Sequence, residues 1–339
     1  MSGLFDGFRS RSRSGLPLAL AVATALVAVS PLTTATVVAQ DRISIATGGT
    51  GGVYYPYGGA LANVLSEAVE GVEVTAEVTA ASVDNMLLIE TQDADIAFVL
   101  ADTAADAAAG RAPFTTAVPA QSLATLYNNY THVVTTEGSG IETIADLAGK
   151  RVSTGAAGSG TEVIANRLLE AAGVDPEGGI QREQLGASES ADAIRDGQID
   201  AFFWSGGLPT AAVTDLAASP NVDFNLLPNG EYADELQEAY GSFYGTATVP
   251  GGTYPGQDED VEVVVVPNVL VVNAAMDEQL AYDIVAAMFD NQEDLAAAHP
   301  AAGELTVEGA VLNSPLPLHP GAARYYEEQG IDPEATPVG

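Results

Sequence analysis

The sequence predicts an α/β protein with a doubly wound sheet, organised as two lobes with a ligand cleft between them. Strand-like and helix-like patterns alternate along the 339 residues, which is typical of βαβ units. Two glycine-rich turns, at residues 47–59 and 153–163, each join a strand to a helix. Backbone N–H groups at such turns lie at the positive end of a helix and favour a bound anion. Two such turns indicate a ligand held between two lobes.

The first 39 residues predict export. Three arginines between positions 9 and 13 precede an apolar run, Leu16–Val29, which is too short to span a bilayer comfortably. Small side chains lead up to Ala39, so we expect a signal peptide over residues 1–39 that is cut after Ala39. An uncleaved membrane anchor is the alternative.

The composition excludes several classes of function. The net charge is −35, so nucleic acid and anionic membrane surfaces are poor partners. The chain has a single lysine, Lys150, and an acidic surface of this kind suits a high-salt exterior. A merely acidic secreted protein is the other interpretation. The chain has no cysteine, which excludes disulfides, a lipoprotein linkage and a thiolate nucleophile. We expect a monomer without a cofactor or a bound metal.

The first lobe is predicted over residues 41–133 plus 268–313. Apolar residues of period two over 72–78 predict a strand, Ser82 begins a helix, and Asp95–Leu100 is a short apolar run typical of a buried parallel strand. Two further strands are expected at Leu123–Tyr127 and His132–Thr135.

The second lobe is predicted over residues 134–267. Its expected elements are a strand at Arg151–Thr154, a helix that Ser159 begins and Gly173 ends, a helix from Ser188, and strands at 199–204 and 223–227. Pro267 interrupts the apolar segment 261–272, which we interpret as one strand ending and another beginning where the chain crosses between lobes. A long helix is expected over 278–298. The tail, 314–339, is expected to end in a short helix and to pack back across both lobes.

Six motifs follow one another in a familiar order, and together they resemble the TAXI family. The motifs are TGGTGGVYYPYGG (47–59), SxDN (82–85), LYNNYTHVV (126–134), DLAGKRVSTGAAGSGTE (146–162), DAFFWSGGLP (200–209) and LHPGAARYYEEQG (318–330). TAXI proteins are the extracytoplasmic solute receptors of one class of tripartite ATP-independent periplasmic (TRAP) transporters. The resemblance implies a periplasmic-binding-protein-like fold of type II and no catalysis. It also implies delivery of the solute to small and large membrane subunits, separate or fused.

The resemblance implies a small organic anion as the ligand, either a glutamate-like amino acid or a C4–C5 dicarboxylate or oxo acid. Two departures put the choice in doubt. The family often has Gln where this chain has Leu100, and Pro-Glu where it has Asn128 and Asn129.

The first turn supplies candidate ligand-binding residues. No cationic side chain lies in either turn, so we expect backbone N–H groups and hydroxyls to hold the carboxylate. Thr50 offers a hydroxyl, while Gly51 and Gly52 let the backbone approach the ligand closely. Tyr54, Tyr55 and Tyr57 are alternatives for a stacking or O–H contact, and Tyr55 is included in the predicted site. The alternative is that these glycines only form a tight turn and that the tyrosines lie on the surface.

The second turn supplies Gly158, Ser159, Gly160 and Thr161. Ser159 and Glu162 have the spacing of a capping box, which would use the Ser159 hydroxyl within the helix. The neighbouring amides would still face an anion, and Thr161 is the better candidate for a side-chain contact.

Further candidates lie at the ends of strands and helices. Ser82 and Asn85 begin a helix, where plain N-capping by Ser82 is equally plausible. Asp102 follows a strand and could receive an ammonium group or cap a helix. Other candidates are Tyr127 and Trp204 as apolar walls, with a buried core position as the alternative for Trp204, and Asn268 as a hinge or a ligand contact. We expect Arg167 and Arg195 to be solvated on helices.

Two other classes of function compete with a transport receptor. An enzyme is disfavoured because no Ser–His–acid spacing is apparent, and His132, His299 and His319 are too scattered to suggest a metal site. A ligand-sensing module that docks to a membrane signalling protein stays open.

Overall fold

The computed structural model describes residues 41–332. The predicted signal peptide at 1–39 and the last residues of the tail, 333–339, lie outside the described residues. None of the helices between residues 41 and 332 is both long enough and apolar enough to cross a membrane.

Residues 41–332 form ten strands and ten α-helices, which alternate for most of the chain up to β8. The strands are β1 (Asp41–Ala46), β2 (Val72–Glu77), β3 (Ile96–Leu100), β4 (Ala120–Thr136), β5 (Arg151–Ser153), β6 (Gln181–Glu183), β7 (Ala201–Gly206), β8 (Phe224–Leu226), β9 (Gly245–Val249) and β10 (Val261–Asn273). The helices are α1 (Tyr54–Ala68), α2 (Ser82–Thr91), α3 (Ala101–Ala109), α4 (Gly160–Ala171), α5 (Ala187–Arg195), α6 (Ala211–Ala217), α7 (Ala233–Tyr240), α8 (Glu278–Asp290), α9 (Gln292–Ala298) and α10 (Pro320–Glu328).

All ten strands form one mixed sheet. Its main path is β2-β1-β3-β10-β4-β7-β5-β6, with β8 beside β4 and β9 beside β10. Pairing is parallel at β1–β2, β1–β3, β5–β6 and β5–β7, and antiparallel wherever β4 or β10 takes part. We call β1–β3, together with the parts of β4 and β10 next to them, the first half of the sheet. The second half consists of β5–β9 and the remaining parts of β4 and β10.

Both faces of the sheet are covered, as expected for a doubly wound fold. In β3, Ile96 and Phe98 belong to one buried cluster while Ala97 and Val99 belong to another. Successive side chains of a strand point to opposite faces, so each face has its own core. Phe202 and Phe203 of β7 are divided between two other clusters in the same way. The predicted α/β class is confirmed.

The long strands β4 and β10 join the two halves, which corrects the prediction of shorter strands. Residues 123–127 and 132–135 belong to one strand of 17 residues, and Pro267 lies inside a single strand of 13 residues. The pairing register of β10 with β4 shifts between Pro267 and Val269. A bulge of this kind accommodates a proline because the missing N–H falls where the ladder is already irregular.

The C-terminal part also differs from its prediction. The helix expected over 278–298 is divided at Asn291 into α8 and α9. Helix α10 packs against α8 on the first half, where the Tyr326 hydroxyl donates to the Leu123 carbonyl at 2.9 Å. A Cβ on Gly321 would lie 2.2 Å from the Glu278 carbonyl, so this glycine permits the close helix contact. The C-terminal helix therefore packs on the first half rather than across both halves.

Candidate functional site

A cavity of about 380 Å³ lies between the two halves of the sheet. Both glycine-rich turns line it. The first half and β4 contribute Gly48–Tyr54, Val78–Ser82, Leu100, Tyr127 and Asn129, and the second half contributes Ala156, Ser159–Thr161, Gln184–Glu189 and Trp204–Gly206. The lining is mainly apolar with a few polar groups, which is typical of small-molecule sites.

Four helices begin at the wall of this cavity. They are α1, α2, α4 and α5, whose N-terminal residues belong to the lining. Helix α1 has 15 residues, no side-chain cap and no acidic residue in its first turn, so its positive end is the least neutralised. Among the described residues of the lining, the only aspartate, glutamate, lysine, arginine or histidine is Glu189, which is exposed. Any attraction for an anion therefore comes from backbone N–H groups and hydroxyls.

The first amides of the second turn are used within the protein, where the Gly158 N–H donates to the Glu162 Oε2 at 2.8 Å and the Ser159 N–H to the Ala156 carbonyl at 3.0 Å. The Ser159 Oγ accepts from the Glu162 N–H at 3.1 Å, so the capping interpretation of Ser159 is correct for its side chain. The Gly158 carbonyl accepts from the Val83 and Asp84 N–H groups, both at 3.1 Å. These bonds use the first amides of α2 and tie the two halves together. Gly158 itself is not part of the lining, which corrects its prediction as a contact residue.

Three of the predicted glycines lie where the two halves approach each other closely. A Cβ would lie 2.1 Å from the Ser188 Oγ if placed on Gly51, and 2.7 Å from the Trp204 Cη2 if placed on Gly52. On Gly160 it would lie 2.5 Å from the Leu100 Cδ1. A side chain at any of these positions would therefore collide with a residue of the opposite half.

Two hydroxyls of the lining accept backbone hydrogen bonds. The Thr161 Oγ1 accepts from the Ser205 N–H at 3.2 Å, and the Ser82 Oγ accepts from the Leu100 N–H at 3.1 Å. A hydroxyl that accepts still has a proton to donate. Thr161 and Ser82 can therefore donate to a group in the cavity without losing these structural bonds.

Three buried polar atoms of lining residues have no hydrogen-bond partner within the part of the chain that the structure describes. They are the Tyr127 OH, the Asn129 Oδ1 and the Ser205 Oγ. The three residues are 3%, 1% and 5% exposed. Buried polar groups are nearly always hydrogen-bonded, because an unpaired one costs about 1–3 kcal/mol. Such atoms around a cavity fit a polar ligand.

Tyr54, not Tyr55, is the tyrosine of α1 that reaches the cavity. Tyr55 is 39% exposed and is absent from the lining, because successive helical residues point about 100° apart. The Tyr54 hydroxyl donates to the Asn268 Oδ1. Burial raises the pKa of Tyr54 well above its usual value, so this hydroxyl stays protonated.

Asn85 and Asn268 are structural neighbours of the site rather than lining residues. The Asn85 Nδ2 donates to the Thr47 carbonyl at 2.7 Å and the Phe98 carbonyl at 2.8 Å, which fixes α2 to the sheet. Asn268 contacts Tyr54 and Asn129 and so orients two residues that do line the cavity. Neither residue belongs to the lining, where a direct contact was predicted.

Asp102 and Arg167 pair with each other, which corrects two predictions. Asp102 is fully buried, and its Oδ2 accepts from the Arg167 Nη1 at 3.2 Å and the Tyr244 OH at 2.7 Å. Arg167 also pairs with Asp106, and its side chain is only 10% exposed. Asp102 is therefore unavailable to an ammonium group, and Arg167 is not solvated. Because α3 packs partly on the first half and α4 on the second, this cluster joins the halves.

Trp204 lies at the wall of the cavity. Its Nε1 donates to the Thr210 Oγ1 at 2.9 Å, and its ring faces Gly52. The remaining predicted lining residues, Thr50 and Tyr127, also lie there.

The sequence reasoning missed Asn129, Ser205 and the segment Gln184–Glu189. Asn129 had a usable signal, since it belongs to a polar pair directly after the apolar Leu126 and Tyr127 of β4. Ser205 follows Trp204 near the carboxyl end of β7, where open α/β sheets bind ligands. The segment 184–189 contains Gly186, which precedes the N-terminus of α5.

The fold occurs in solved structures of low sequence identity. A protein of Bordetella bronchiseptica RB50 is 19% identical over 88% of this chain and 94% of its own, with a TM-score of 0.51. XAC2383 from Xanthomonas citri, solved bound to ATP, is 14% identical over 85% of this chain and 95% of its own, with a TM-score of 0.50. The periplasmic aliphatic sulphonate binding protein SsuA from Escherichia coli is 14% identical over 85% and 78%, with a TM-score of 0.43.

The chain shares its fold with these proteins, and its cavity lies between the two halves of that fold. The chain belongs to the NMT1-like family, whose model matches residues 45–330. The narrower assignment to TAXI receptors stays a prediction from the six motifs.

Proposed function

We propose that this chain is an exported receptor that captures a small organic anion and delivers it to the membrane subunits of a TRAP transporter. The ligand is a glutamate-like amino acid or a C4–C5 dicarboxylate or oxo acid. The mature protein acts outside the cytoplasm and carries out no chemical step on its solute.

The lining of the cavity carries this proposal. Helices α1, α4 and α5 begin there, and the unpartnered Tyr127 and Ser205 hydroxyls can donate to a carboxylate. A helix N-terminus stabilises a nearby anion by about 0.3–1 kcal/mol, and by up to about 2 kcal/mol when partly buried. With no cationic side chain in the lining formed by residues 41–332, a dianion and a monoanion are bound by the same dispersed positive potential.

Capture proceeds by closure of two lobes. The lobes are residues 41–133 plus 268–313 and residues 134–267, and they rotate about β4 and β10, which run through both. Residues of both lobes line the cavity, so a ligand that contacts both stabilises the closed form. Closure is driven only by the difference in affinity between the closed and open forms.

A thermal-shift screen at high salt tests the anion class. Each probe is present at millimolar concentration: glutamate, glutarate, 2-oxoglutarate, succinate, a neutral sugar and a diamine. An acid at 100 times its dissociation constant should add about 2.7 kcal/mol to the unfolding free energy, and calorimetry should then give one site per chain. Stabilisation by the sugar or the diamine, with no response to any acid, would contradict the proposal.

Uptake into vesicles tests the transporter class separately. The receptor is supplied to vesicles that contain the membrane subunits encoded with it, and uptake of the solute found in the screen is measured. A TRAP system should need an ion gradient and should fail when ionophores collapse that gradient. Uptake driven by ATP without a gradient would overturn the TRAP assignment while leaving the anion receptor intact.

A further inference from the structure

The unpartnered atom of Asn129 differs in kind from the two unpartnered hydroxyls. The Tyr127 and Ser205 hydroxyls can donate or accept, whereas an amide Oδ1 can only accept. Asn129 lines the cavity and is 1% exposed. The Asn129 Oδ1 can pair only with a hydrogen-bond donor of the ligand. It therefore restricts the ligand more than the two hydroxyls do.

A chain of hydrogen bonds that begins at a backbone carbonyl fixes the orientation of Asn129. The Tyr127 carbonyl can only accept, and the Asn268 Nδ2 donates to it at 3.3 Å. The Asn268 Oδ1 must then point the other way, where it accepts from the Tyr54 OH and, at 3.2 Å, from the Asn129 Nδ2. One N–H of the Asn129 amide is thereby used, and its buried Oδ1 has no partner among the described residues.

A flip of Asn129 is disfavoured by the same chain. It would place the Asn129 Oδ1 against the Asn268 Oδ1, two acceptors about 3 Å apart. Asn268 is fully buried, so water cannot readily reorganise around it. The acceptor character of this point of the cavity wall is thus built into the fold.

We infer that Asn129 is a specificity-determining residue that selects an organic acid bearing a hydrogen-bond donor, a 2-amino or 2-hydroxyl group, beside its carboxylate. This rests on the proposed function and narrows it. The amino or hydroxyl group donates to the Asn129 Oδ1, while the carboxylate lies against the hydroxyls and helix N-termini. Fully ionised plain dicarboxylates and 2-oxo acids have only acceptors, so they leave the Oδ1 unpaired.

The feature that the Asn129 Oδ1 requires of a ligand is a hydrogen-bond donor beside the carboxylate. Two chemical groups can supply this donor. Glu189, the one acidic residue among the described residues of the lining, is exposed, so no buried carboxylate there demands a cationic group. A neutral 2-hydroxyl and a charged 2-amino group both satisfy the Asn129 Oδ1. The test therefore includes both.

The decisive experiment compares acids that differ only at carbon 2. Calorimetry on the wild-type protein measures the affinity for glutamate, 2-hydroxyglutarate, 2-oxoglutarate and glutarate. At least one of the first two should bind ten times or more tightly than both of the others. If glutarate bound as tightly as glutamate and 2-hydroxyglutarate, the inference would be overturned, but the proposal of an anion receptor would stand. Binding of none of the four, together with binding of a neutral or cationic solute, would overturn both.

A pair of adjacent variants separates selection from stability. Asn129→Ala removes the acceptor, and Asn128→Ala is the matched control because that side chain is exposed on the same strand. Asn129→Ala should reduce the ratio of donor-bearing to donor-free affinity to about threefold or less, mostly by weakening the former. Asn128→Ala should keep the wild-type ratio. An unchanged ratio in a folded Asn129→Ala protein would overturn the assignment of Asn129.

Discussion

Replacement of Arg167 by Met should destabilise the protein strongly, because Arg167 compensates two buried carboxylates. The side chains of Asp102 and Asp106 are 0% and 3% exposed, and both pair with Arg167. Removing one partner of a buried ion pair typically costs about 3–5 kcal/mol, since it leaves an uncompensated charge. The Tyr244 hydroxyl still donates to Asp102, and Arg111 still pairs with Asp106 at 2.8 Å. We therefore expect the lower end, about 3 kcal/mol.

The dependence of this effect on pH tests the reasoning further. Burial raises the pKa of Asp102, and Arg167 partly offsets that rise. In the Arg167→Met protein the pKa of Asp102 should rise further, so the folded state takes up a proton more readily than the unfolded chain. The loss of stability should then be smaller at pH 5 than at pH 7.

Urea unfolding at the two pH values measures both effects. Arg195→Met is the matched control, because the pair of Arg195 with Asp192 is solvent-exposed and such pairs contribute at most about 1 kcal/mol. A loss below 1 kcal/mol for Arg167→Met, or a loss that grows as the pH falls, would refute the account of this cluster.

Three further predictions concern the cavity, a buried histidine and the surface charge. Thr161→Val removes the acceptor for the Ser205 N–H and a potential donor to the ligand, and Gly160→Val places atoms where Leu100 lies. Each variant should weaken ligand binding tenfold or more, about 1.4 kcal/mol. Unchanged calorimetric titrations for both variants would count against the site. Burial lowers the pKa of His132 to about 4, so the unfolded chain binds a proton that the folded state excludes. Stability should fall by about 3 kcal/mol through this group as the pH drops from 7 to 4, and His132→Gln should remove that part of the loss in urea titrations. The net charge of −35 should make the melting temperature rise with NaCl between 0.1 and 2 M, because salt screens self-repulsion; a melting temperature that falls with salt would contradict the halophilic interpretation.

The alternation of strand and helix patterns was sufficient to predict the fold class and most elements. Short-range signals determine these features: Ser159 with Glu162 begins α4, and the apolar run before Leu100 is β3. The strand breaks expected near Asn128 and at Pro267 were wrong, because local propensity does not reveal a bulge or a partner strand. Those depend on the tertiary pairing of β4 with β10.

The candidate site was predictable in outline only. Both turns could be located from the sequence, because glycine-rich segments between a strand and a helix are local features. The partners of Asp102 and Asn129 could not, since Arg167 and Asn268 lie 65 and 139 residues away along the chain. Such pairs are fixed by topology, which local sequence patterns do not encode.

The emission of the single tryptophan tests the central claim most directly. Trp204 is the one tryptophan of the chain and lines the cavity, so its fluorescence reports occupancy of that cavity. Titration with the acid found in the screen should give a saturable change, and the amide of the same acid, which lacks the carboxylate charge, should bind at least tenfold more weakly. Equal affinity for the acid and its amide, or binding by calorimetry without any change in Trp204 emission, would contradict capture of an anion in this cavity.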